Sequence, residues 1–250
     1  GYYDFQAIGG TVYADGDLNM DGLINVVDVV MLINFIIYDD QTPDDTEFIL
    51  SDLNSDGLLN VIDVVILINL IVGDNLSRGV PTNQVSFSYG NGSVSYESDG
   101  SLAGMQFEVT GQYEITGHNL PIGWEIHNTE NTIILFSLDG SSLEDKSLFE
   151  YEGYIVIKSA IATDWYGSDI AVSSVLIPKE FALQSAYPNP FNPVTHLKFG
   201  LPVDSKVSIQ IYNLQGQVVS SLLNDNMQAG YHSVVWNADE FGSGIYFVQM

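Results

Sequence analysis

Two clusters of aspartate and asparagine carry the strongest chemical signal in the sequence. The segments DLNMDGLINVVD from Asp17 and DLNSDGLLNVID from Asp52 are copies of one pattern, with oxygen-bearing side chains at positions 1, 3, 5, 9 and 12 and glycine at position 6. Ca²⁺ takes about six to eight hard oxygen ligands at about 2.3 to 2.6 Å, and only a tightly wrapped loop supplies them from a dozen residues. The duplication predicts two calcium loops rather than two Asx-rich surface turns ahead of helices, because two such turns in register would be a coincidence.

Each loop is expected to bind one Ca²⁺ through side-chain oxygens at positions 1, 3 and 5, a backbone carbonyl at 7, a water-mediated contact at 9 and a closing carboxylate at 12. The expected ligands of the first ion are Asp17, Asn19, Asp21, Leu23, Asn25 and Asp28. Those of the second ion are Asp52, Asn54, Asp56, Leu58, Asn60 and Asp63. Gly22 and Gly57 stand where the loop turns sharply and where we expect a Cβ to collide. Without metal the six carboxylates would repel one another, so we expect this part of the chain to fold with its two ions.

The helices predicted after the loops are apolar nearly all round. From Val26 to Ile37 the only polar residues are Asp28 and Asn34, and Val61 to Val72 repeats that pattern. Two short helices can bury one face of each against the other, so the remaining apolar faces need another cover. The sequence allows three ways to bury these faces: against the module's own loops, against a sandwich domain of the same chain, or against another molecule.

The residues ahead of the loops, GGTVYADG and DDTEFILS, do not repeat a helical pattern, which predicts loop-then-helix units rather than complete EF-hands. The segment resembles a type I dockerin over residues 14–75. That resemblance implies a module that folds on two calcium ions and docks to a cohesin, a β-sandwich partner. Valine and isoleucine replace the small hydroxyls usual at loop positions 10 and 11, and neither helix has Lys or Arg. This departure favours a permanent apolar interface.

The rest of the chain predicts β-structure. Eight short alternating runs separated by turn clusters lie between Gln84 and about Ile177, and they predict an antiparallel β-sandwich that is weakly similar to cohesins. The expected fold class is mainly β, with two antiparallel β-sandwich domains of the immunoglobulin or cohesin kind and a small all-α dockerin-like module. The expected segments are a strand-like piece at 1–13, the calcium module at 14–75, the cohesin-like sandwich at 84–178 and an Ig-like domain at 182–250.

The last segment, with AYPNPFNPVTHLKFGLP and SGIYFVQM, resembles the C-terminal sorting domain of type IX secretion, related to flagellar hook-capping proteins. Pro188, Asn189, Pro190 and Phe191 are its opening signature, and Phe191 is expected to anchor in the core. The resemblance implies export through an outer membrane. Such domains usually end in a further strand with basic residues. Either the chain has been shortened or the open sheet edge accepts a strand from another molecule, for which YYDFQAI near the N-terminus is a candidate.

Charge and composition exclude several function classes. The 250 residues include 32 acidic and 6 basic residues, and the net charge of −26 repels nucleic acid and anionic lipid. The absence of cysteine rules out disulfides and thiolate metal sites. No apolar run is long enough for a spanning helix, so we expect no direct membrane insertion. A first residue of Gly1 suggests a removed signal peptide or a fragment.

No catalytic motif is recognisable. The four histidines lie far apart, and no nucleophile elbow, P-loop or dinucleotide fingerprint occurs. Trp124 and Trp165 are expected in sandwich cores rather than in sugar sites. A glycosidase carboxylate pair stays open, because the distance between two carboxylates is not visible in a sequence.

We therefore expect a non-enzymatic, calcium-stabilised, secreted or cell-surface assembly protein. The expected partners are copies of itself, joined head to tail into a fibre, or a cohesin-like protein. The alternatives are the docking and sorting region of a larger hydrolase or scaffold, and a rigid monomer in which the dockerin-like helices pack on the chain's own sandwich.

Overall fold

The chain divides into two compact units, Gly1–Ser174 and Val175–Met250. The structure is a computed structural model that describes residues 5–8, 11–73, 79–168 and 170–250. The fold class is confirmed, since strands predominate and helices occur only in the first third of the described chain. Each unit is built around its own sandwich, and the helices belong to the first unit.

The helical module begins with a short hairpin. Strands β1 (Phe5–Ile8) and β2 (Thr11–Ala14) pair in antiparallel fashion. Helix α1 spans Val26–Ile37 and helix α3 spans Val61–Val72, as the apolar runs predict. Residues 1–4, which include part of the YYDFQAI segment, lie outside the described residues, and the described part of that segment is β1. Its pairing with β2 means that donation to another molecule would require this hairpin to open.

A third helix corrects the prediction that both repeats are loop-then-helix units. Helix α2, Asp45–Ser51, leads into the second loop. Asp44 caps it by accepting hydrogen bonds from Thr46 and Glu47 N–H, and the Glu47 carboxylate accepts from Asp44 N–H at 2.8 Å. This capping box satisfies N–H groups that would otherwise lack partners in the first turn. Leu50 is fully buried. The acidic start of this segment gives no apolar helical pattern in the sequence, and the helix packs through the buried Leu50.

Seven strands form the sandwich of the first unit, where the sequence predicts eight. In chain order they are β3 (Gln84–Gly90), β4 (Ser93–Ser98), β5 (Gly104–His118), β6 (Trp124–Asn128), β7 (Thr132–Ser137), β8 (Ser147–Thr163) and β9 (Ala171–Leu176). The predicted runs MQFEVT and YEIT are one strand, β5, because Gly111 between them continues the pairing with β8. The hydrogen-bonded order is β6-β7-β5-β8-β4-β3-β9.

This single sheet folds over so that its two halves face each other. Strands β5 and β8 run beside each other over most of their 15 and 17 residues, and their register shifts twice. Such bulges increase the local twist and bend of a strand pair. The bend brings β3 over β5, where the rings of Phe87 and Phe107 meet edge to face at 4.7 Å. The folded sheet therefore has the two layers and the apolar core of a sandwich.

A buried carboxylate fixes the segment that enters the sandwich. Asp164, after β8, accepts hydrogen bonds from the N–H groups of Thr82 at 3.0 Å, Tyr166 at 2.9 Å and Ser168 at 3.1 Å. Asp164 is fully buried and Thr82 is 2% exposed. The three donors compensate the carboxylate for the water it has lost. The entry to the sandwich is thus a fixed part of the fold.

The second unit is a smaller sandwich. Its strands are β10 (Ala182–Leu183), β11 (Val194–Leu201), β12 (Ser205–Tyr212), β13 (Val218–Met227), β14 (Gly230–Asn237) and β15 (Phe247–Gln249). They form two three-stranded sheets, β10-β11-β14 and β13-β12-β15. Phe191 packs on this core with its ring 5.3 Å from that of Trp236, which confirms its predicted role as an anchor. Among the described helices, none has the length and apolar character to cross a membrane.

Candidate calcium loops and the helix interface

The first loop wraps its carboxylates around the backbone. The Asp17 carboxylate accepts hydrogen bonds from Asp21 N–H at 3.1 Å and Gly22 N–H at 3.0 Å. The Asn19 side-chain amide donates to the Asp21 carboxylate at 3.0 Å. The carbonyl oxygen of Leu23 accepts from the Asn25 amide at 3.3 Å. The residues predicted at positions 1 to 9 therefore lie side by side along one tight turn.

The second loop repeats this geometry. Asp52 accepts from Asp56 N–H at 3.1 Å and Gly57 N–H at 2.9 Å, and Asn54 donates to Asp56 at 2.8 Å. Since the two copies share their ligand residues but differ at several other positions, the common hydrogen bonds follow from the repeated pattern itself. Leu58, like Leu23, keeps an exposed side chain while its backbone follows the loop.

The closing aspartate of each loop has a second role, which the sequence argument missed. The buried Asp28 carboxylate accepts from Leu18 N–H at 2.9 Å and from Asn25 N–H at 2.8 Å, so it ties the loop's start to its end. Asn25 and Asp28 also form the capping box of α1, as Asn60 and Asp63 do for α3. The signal was available as Asn-x-x-Asp immediately before an apolar run.

Burial makes one of these carboxylates hard to ionise. The pKa of Asp63 is raised to about 6, chiefly by desolvation, and the negative charge of Asp52 adds to the rise. Hydrogen bonds from the backbone of Asn60, Asn54 and Leu53 act in the opposite direction without cancelling it. A nearby divalent cation would favour the charged form and reverse this balance.

The glycines of the loops are needed for a different reason from the one predicted. Gly22 has φ of +88° and Gly57 has φ of +82°, but a Cβ at either position would meet nothing within 4 Å. The expected collision is wrong, and glycine is favoured at these two positions by the left-handed backbone alone. Loop position 4 is left-handed too, with φ of 58° at both Met20 and Ser55, although neither residue type signals it.

The donor set suits a hard cation. Carboxylate, amide and carbonyl oxygens are the ligands that calcium prefers, and each loop gathers all three kinds within one turn. Within the described residues, no group of three or more His, Cys, Asp or Glu side chains converges as a metal cluster. Each predicted ligand set combines three aspartates with asparagine and backbone oxygens. The predicted ligand residues thus fit calcium, and their assignment stays a prediction.

Helix α3 lies on the chain's own sandwich. Five of its apolar residues are buried in one cluster with residues of the sandwich: Val61, Val64, Val65, Leu67 and Ile68. The sandwich contributes Ala103, Ile134, Phe136 and Trp165 to that cluster. Val61 N–H donates to the Gln106 side chain at 3.1 Å, and the Asn69 amide donates to the Trp165 carbonyl at 3.3 Å. The apolar face of α3 is therefore covered by the sandwich of the same chain, one of the three possibilities left open by the sequence.

Gly104 of β5 shows how close the helix comes. A Cβ at this position would lie 2.7 Å from a Val61 methyl carbon and 3.0 Å from one of Val65. These separations are shorter than ordinary van der Waals contact, so only glycine lets the helix approach this far. The sandwich surface and α3 are therefore shaped to each other.

Helix α1 has nearly the same sequence as α3 but is less covered by the rest of the first unit. Its Val29, Leu32, Ile33 and Ile37 are buried with α3 in the same cluster. In contrast, Val26 is 58% exposed and Val30 is 51% exposed, whereas Val61 and Val65 at the matching positions of α3 are fully buried. One helix of the duplicated pair is thus covered and the other is only half covered.

The tryptophans and histidines singled out in the sequence lie apart from one another in the part of the chain that the structure describes. Trp124 is buried in the sandwich core, as expected, whereas Trp165 is buried in the cluster between the helices and the sandwich, and neither offers a face to a sugar. His127 stacks on Phe136, and His232 stacks on Phe199. His118 and His196 are exposed on separate strands. The described structure brings none of the four histidines together.

Two family models match parts of the chain. Residues 15–72 match the dockerin type I domain. Residues 185–250 match the secretion system C-terminal sorting domain. A comparison with the curated proteins finds no match.

These matches confirm both resemblances seen in the sequence. Dockerin type I domains bind calcium and generally bind cohesins, so the chain carries a calcium-binding docking module. With its sorting domain, the protein is secreted and is extracellular or held at the cell surface. Both matched modules are non-catalytic types, and the sandwich between them lies outside the two matches.

Proposed function

We propose that this protein is a non-enzymatic, calcium-stabilised structural component of the cell exterior, in which the dockerin-like module braces the chain's own sandwich. The observation that carries the proposal is the burial of α3. The face containing Val61 and Val65 is fully buried on a surface that has Gly104 where a side chain would not fit. A module that served only as a mobile docking tail would gain nothing from such an interface.

Calcium has a structural role in this proposal. Each loop holds one ion, two in all, through the residues predicted above. The closing carboxylates Asp28 and Asp63 join the ion to the first turns of α1 and α3. Loss of calcium would therefore loosen both helices, and α3 would lose the geometry that fits the sandwich. In a chain with no cysteine, the ions replace the disulfides that often stabilise small secreted modules.

The domain organisation follows from the same proposal. We assign a strand-like segment to residues 1–13, the calcium module to 14–75, a cohesin-like sandwich to 84–178 and the Ig-like sorting domain to 182–250. A cohesin-like character of the sandwich is supported by its position, because it receives a dockerin-like helix on one face. The chain then contains both halves of a docking pair, already joined.

Calcium binding to the full chain tests the proposal. After chelation, isothermal titration should give two ions per chain, and Asp52→Asn combined with Asp56→Asn should remove one of them. The matched pair Asp17→Asn and Asp21→Asn should remove the other. Near-ultraviolet circular dichroism of the protein, compared with that of Trp165→Phe, should isolate the signal of the buried Trp165 as calcium orders the interface. Full helicity and an unchanged Trp165 signal without calcium would reject the bracing role, even if ions bind.

Self-association into a fibre is the second candidate function. One observation favours it: β15 pairs with only Gln210, Ile211 and Tyr212 of β12, so the rest of that strand edge has no partner among the described residues. An extended strand from a second molecule fits such an edge. Negative-stain microscopy and light scattering in millimolar calcium test it. Filaments that disappear when residues 1–8 are deleted would support strand donation, and monomers at high concentration would reject it.

A partner outside the chain is the third part of the proposal. Dockerins generally bind cohesins, and the exposed residues of α1 leave one helix available for a cohesin-like protein. The rival role, the docking and sorting region of a larger hydrolase or scaffold, makes the same contact but predicts a longer native polypeptide. Mass spectrometry of the protein isolated from its source separates the two.

A further inference from the structure

A groove of about 250 Å³ lies between α1 and the outer face of the sandwich. One wall is α1, with Val26 and Val30. The other wall is β6, with Glu125 and His127. Apart from these two polar side chains of β6, the lining is mainly apolar. No dockerin module alone could form this groove, because half of it belongs to the sandwich.

The floor of the groove is part of the packed core. Ile33 and Ile37 of α1 and Phe136 of β7 line the groove and also belong to the buried cluster that joins the helices to the sandwich. His127 lies flat against Phe136, with ring centroids 5.9 Å apart and an interplanar angle of 6°. A close-packed floor of this kind gives the groove a preformed shape.

The groove runs along an open sheet edge. Strand β6 is the last in the sheet order and pairs with β7 alone in the described part of the chain. A terminal strand presents unpaired N–H and C=O groups on its outer side. The five residues of β6 include neither proline nor lysine, two residue types that often protect an edge. Its side chains alternate, with Trp124 in the sandwich core and Glu125 and His127 toward the groove.

We propose that this groove binds an extended segment of a partner protein, which pairs with β6 as an eighth strand and places alternate side chains beneath α1. The added strand would cover Val26 and Val30, whose counterparts in α3 are already buried. The backbone of the segment supplies the missing hydrogen bonds of the edge. A helix could cover the valines but could not pair with the strand.

Charge defines the partner further. The chain carries a net charge of −26, which favours a basic partner segment over an acidic one. Glu125 is half exposed on β6, and an opposite charge is favoured directly across from it on an adjoining strand. The partner segment thus has apolar residues at alternate positions, facing the groove, and a lysine or arginine beside Glu125.

A labelled peptide tests this on the full, calcium-loaded chain. The probe is a fluorescein-tagged octapeptide of alternating valine and threonine in which lysine replaces one central valine, so that it shares the groove-facing side, and its binding is followed by fluorescence anisotropy. Saturable binding is expected, with hydrogen-exchange protection at alternate amides of residues 124–128. Val30→Gln should weaken binding roughly tenfold by removing an apolar contact. The matched change Val203→Gln, at a 57% exposed valine of the second unit, should leave it unchanged.

A charge exchange supplies the second readout. Glu125→Lys should weaken binding of the lysine peptide and restore binding of a peptide with glutamate in its place. Three results would overturn the proposal: equal binding of a peptide with the same composition but consecutive valines, no effect of Val30→Gln, or self-association of the chain that depends on Val30. The last would identify a second copy as the occupant. None of these readouts depends on calcium stoichiometry. A failure of the bracing role can therefore be distinguished from a failure of the groove to bind the peptide.

Discussion

Helices α1 and α3 are near copies in sequence, but they differ in how much of their apolar surface the sandwich buries. Their caps are equivalent, with Asn25 and Asp28 matched by Asn60 and Asp63, because a cap depends on residues next to one another in sequence. Their burial differs, since Val65 is fully buried and Val30 is half exposed. Local sequence thus fixes the helix and its loop, while the distant surface around Gly104 decides which copy is covered. The two repeats are therefore alike in local structure and differ in their packing against the sandwich.

Removal of calcium should have the largest effect, because it acts on both repeats at once. Each proposed site would contribute about 4 kcal/mol when free calcium exceeds its Kd a thousandfold. We expect chelation to lower the urea midpoint of the first unit and to remove most of the helical circular dichroism. Titration of calcium back into the same sample should restore both, and an unchanged midpoint would contradict the role of the loops.

Truncation at the two matching valines tests the difference in burial directly. Val65→Ala should destabilise the first unit by about 2 kcal/mol, because it leaves a cavity between α3 and β5. Val30→Ala should change stability by less than about 0.5 kcal/mol, as is usual for exposed sites. Urea unfolding in saturating calcium measures both. Equal costs would mean that α1 is as covered as α3 in solution.

A methyl group on β5 should separate the helix from the sandwich without touching the module. Gly104→Ala would press on Val61 and Val65, and overpacking of this kind costs about 1 to 3 kcal/mol. Gly117→Ala on the same strand is the control, since its Cβ would meet nothing within 4 Å. Calorimetry should show a lower transition temperature for the first variant only. If neither variant changed the stability, α3 would lie farther from β5 in solution than the close approach of Val61 and Val65 to Gly104 implies.

The smallest effect concerns α2, which precedes the second loop and has no counterpart among the described residues ahead of the first. Asp44→Ala removes the cap from Thr46 and Glu47 N–H and should cost about 1 kcal/mol. The loss should appear as faster hydrogen exchange in residues 45–51. Asp40→Ala, a nearby exposed aspartate, serves as control. If both variants exchanged alike, α2 would be held by Leu50 rather than by its cap.

The parts of the fold that depend on neighbours in sequence were predictable, and those that depend on distant neighbours were not. The calcium-loop pattern, the bounds of α1 and α3 and the sandwich class could all be inferred from periodicity and turn residues. Helix α2 was hidden because its stability comes from a capping box and one buried leucine. The long strand β5 was divided in two because Gly111 resembles a turn signal. That α3, not α1, meets the sandwich depends on the shape of a surface that no local pattern encodes.

Asp164 bears on how the protein survives outside the cell. Proteolytic nicking concentrates at exposed, pliable segments, because a protease must draw the backbone into its own cleft. The stretch that leads into the sandwich would ordinarily be such a target, yet Thr82 is held below the surface by a carboxylate that grips its N–H at 3.0 Å. The same carboxylate closes the turn containing Tyr166 and Ser168. One acidic side chain, turned inward in a protein whose other acids mostly face water, thereby holds two backbone segments in place, and we expect both to be cleaved more slowly than a free loop.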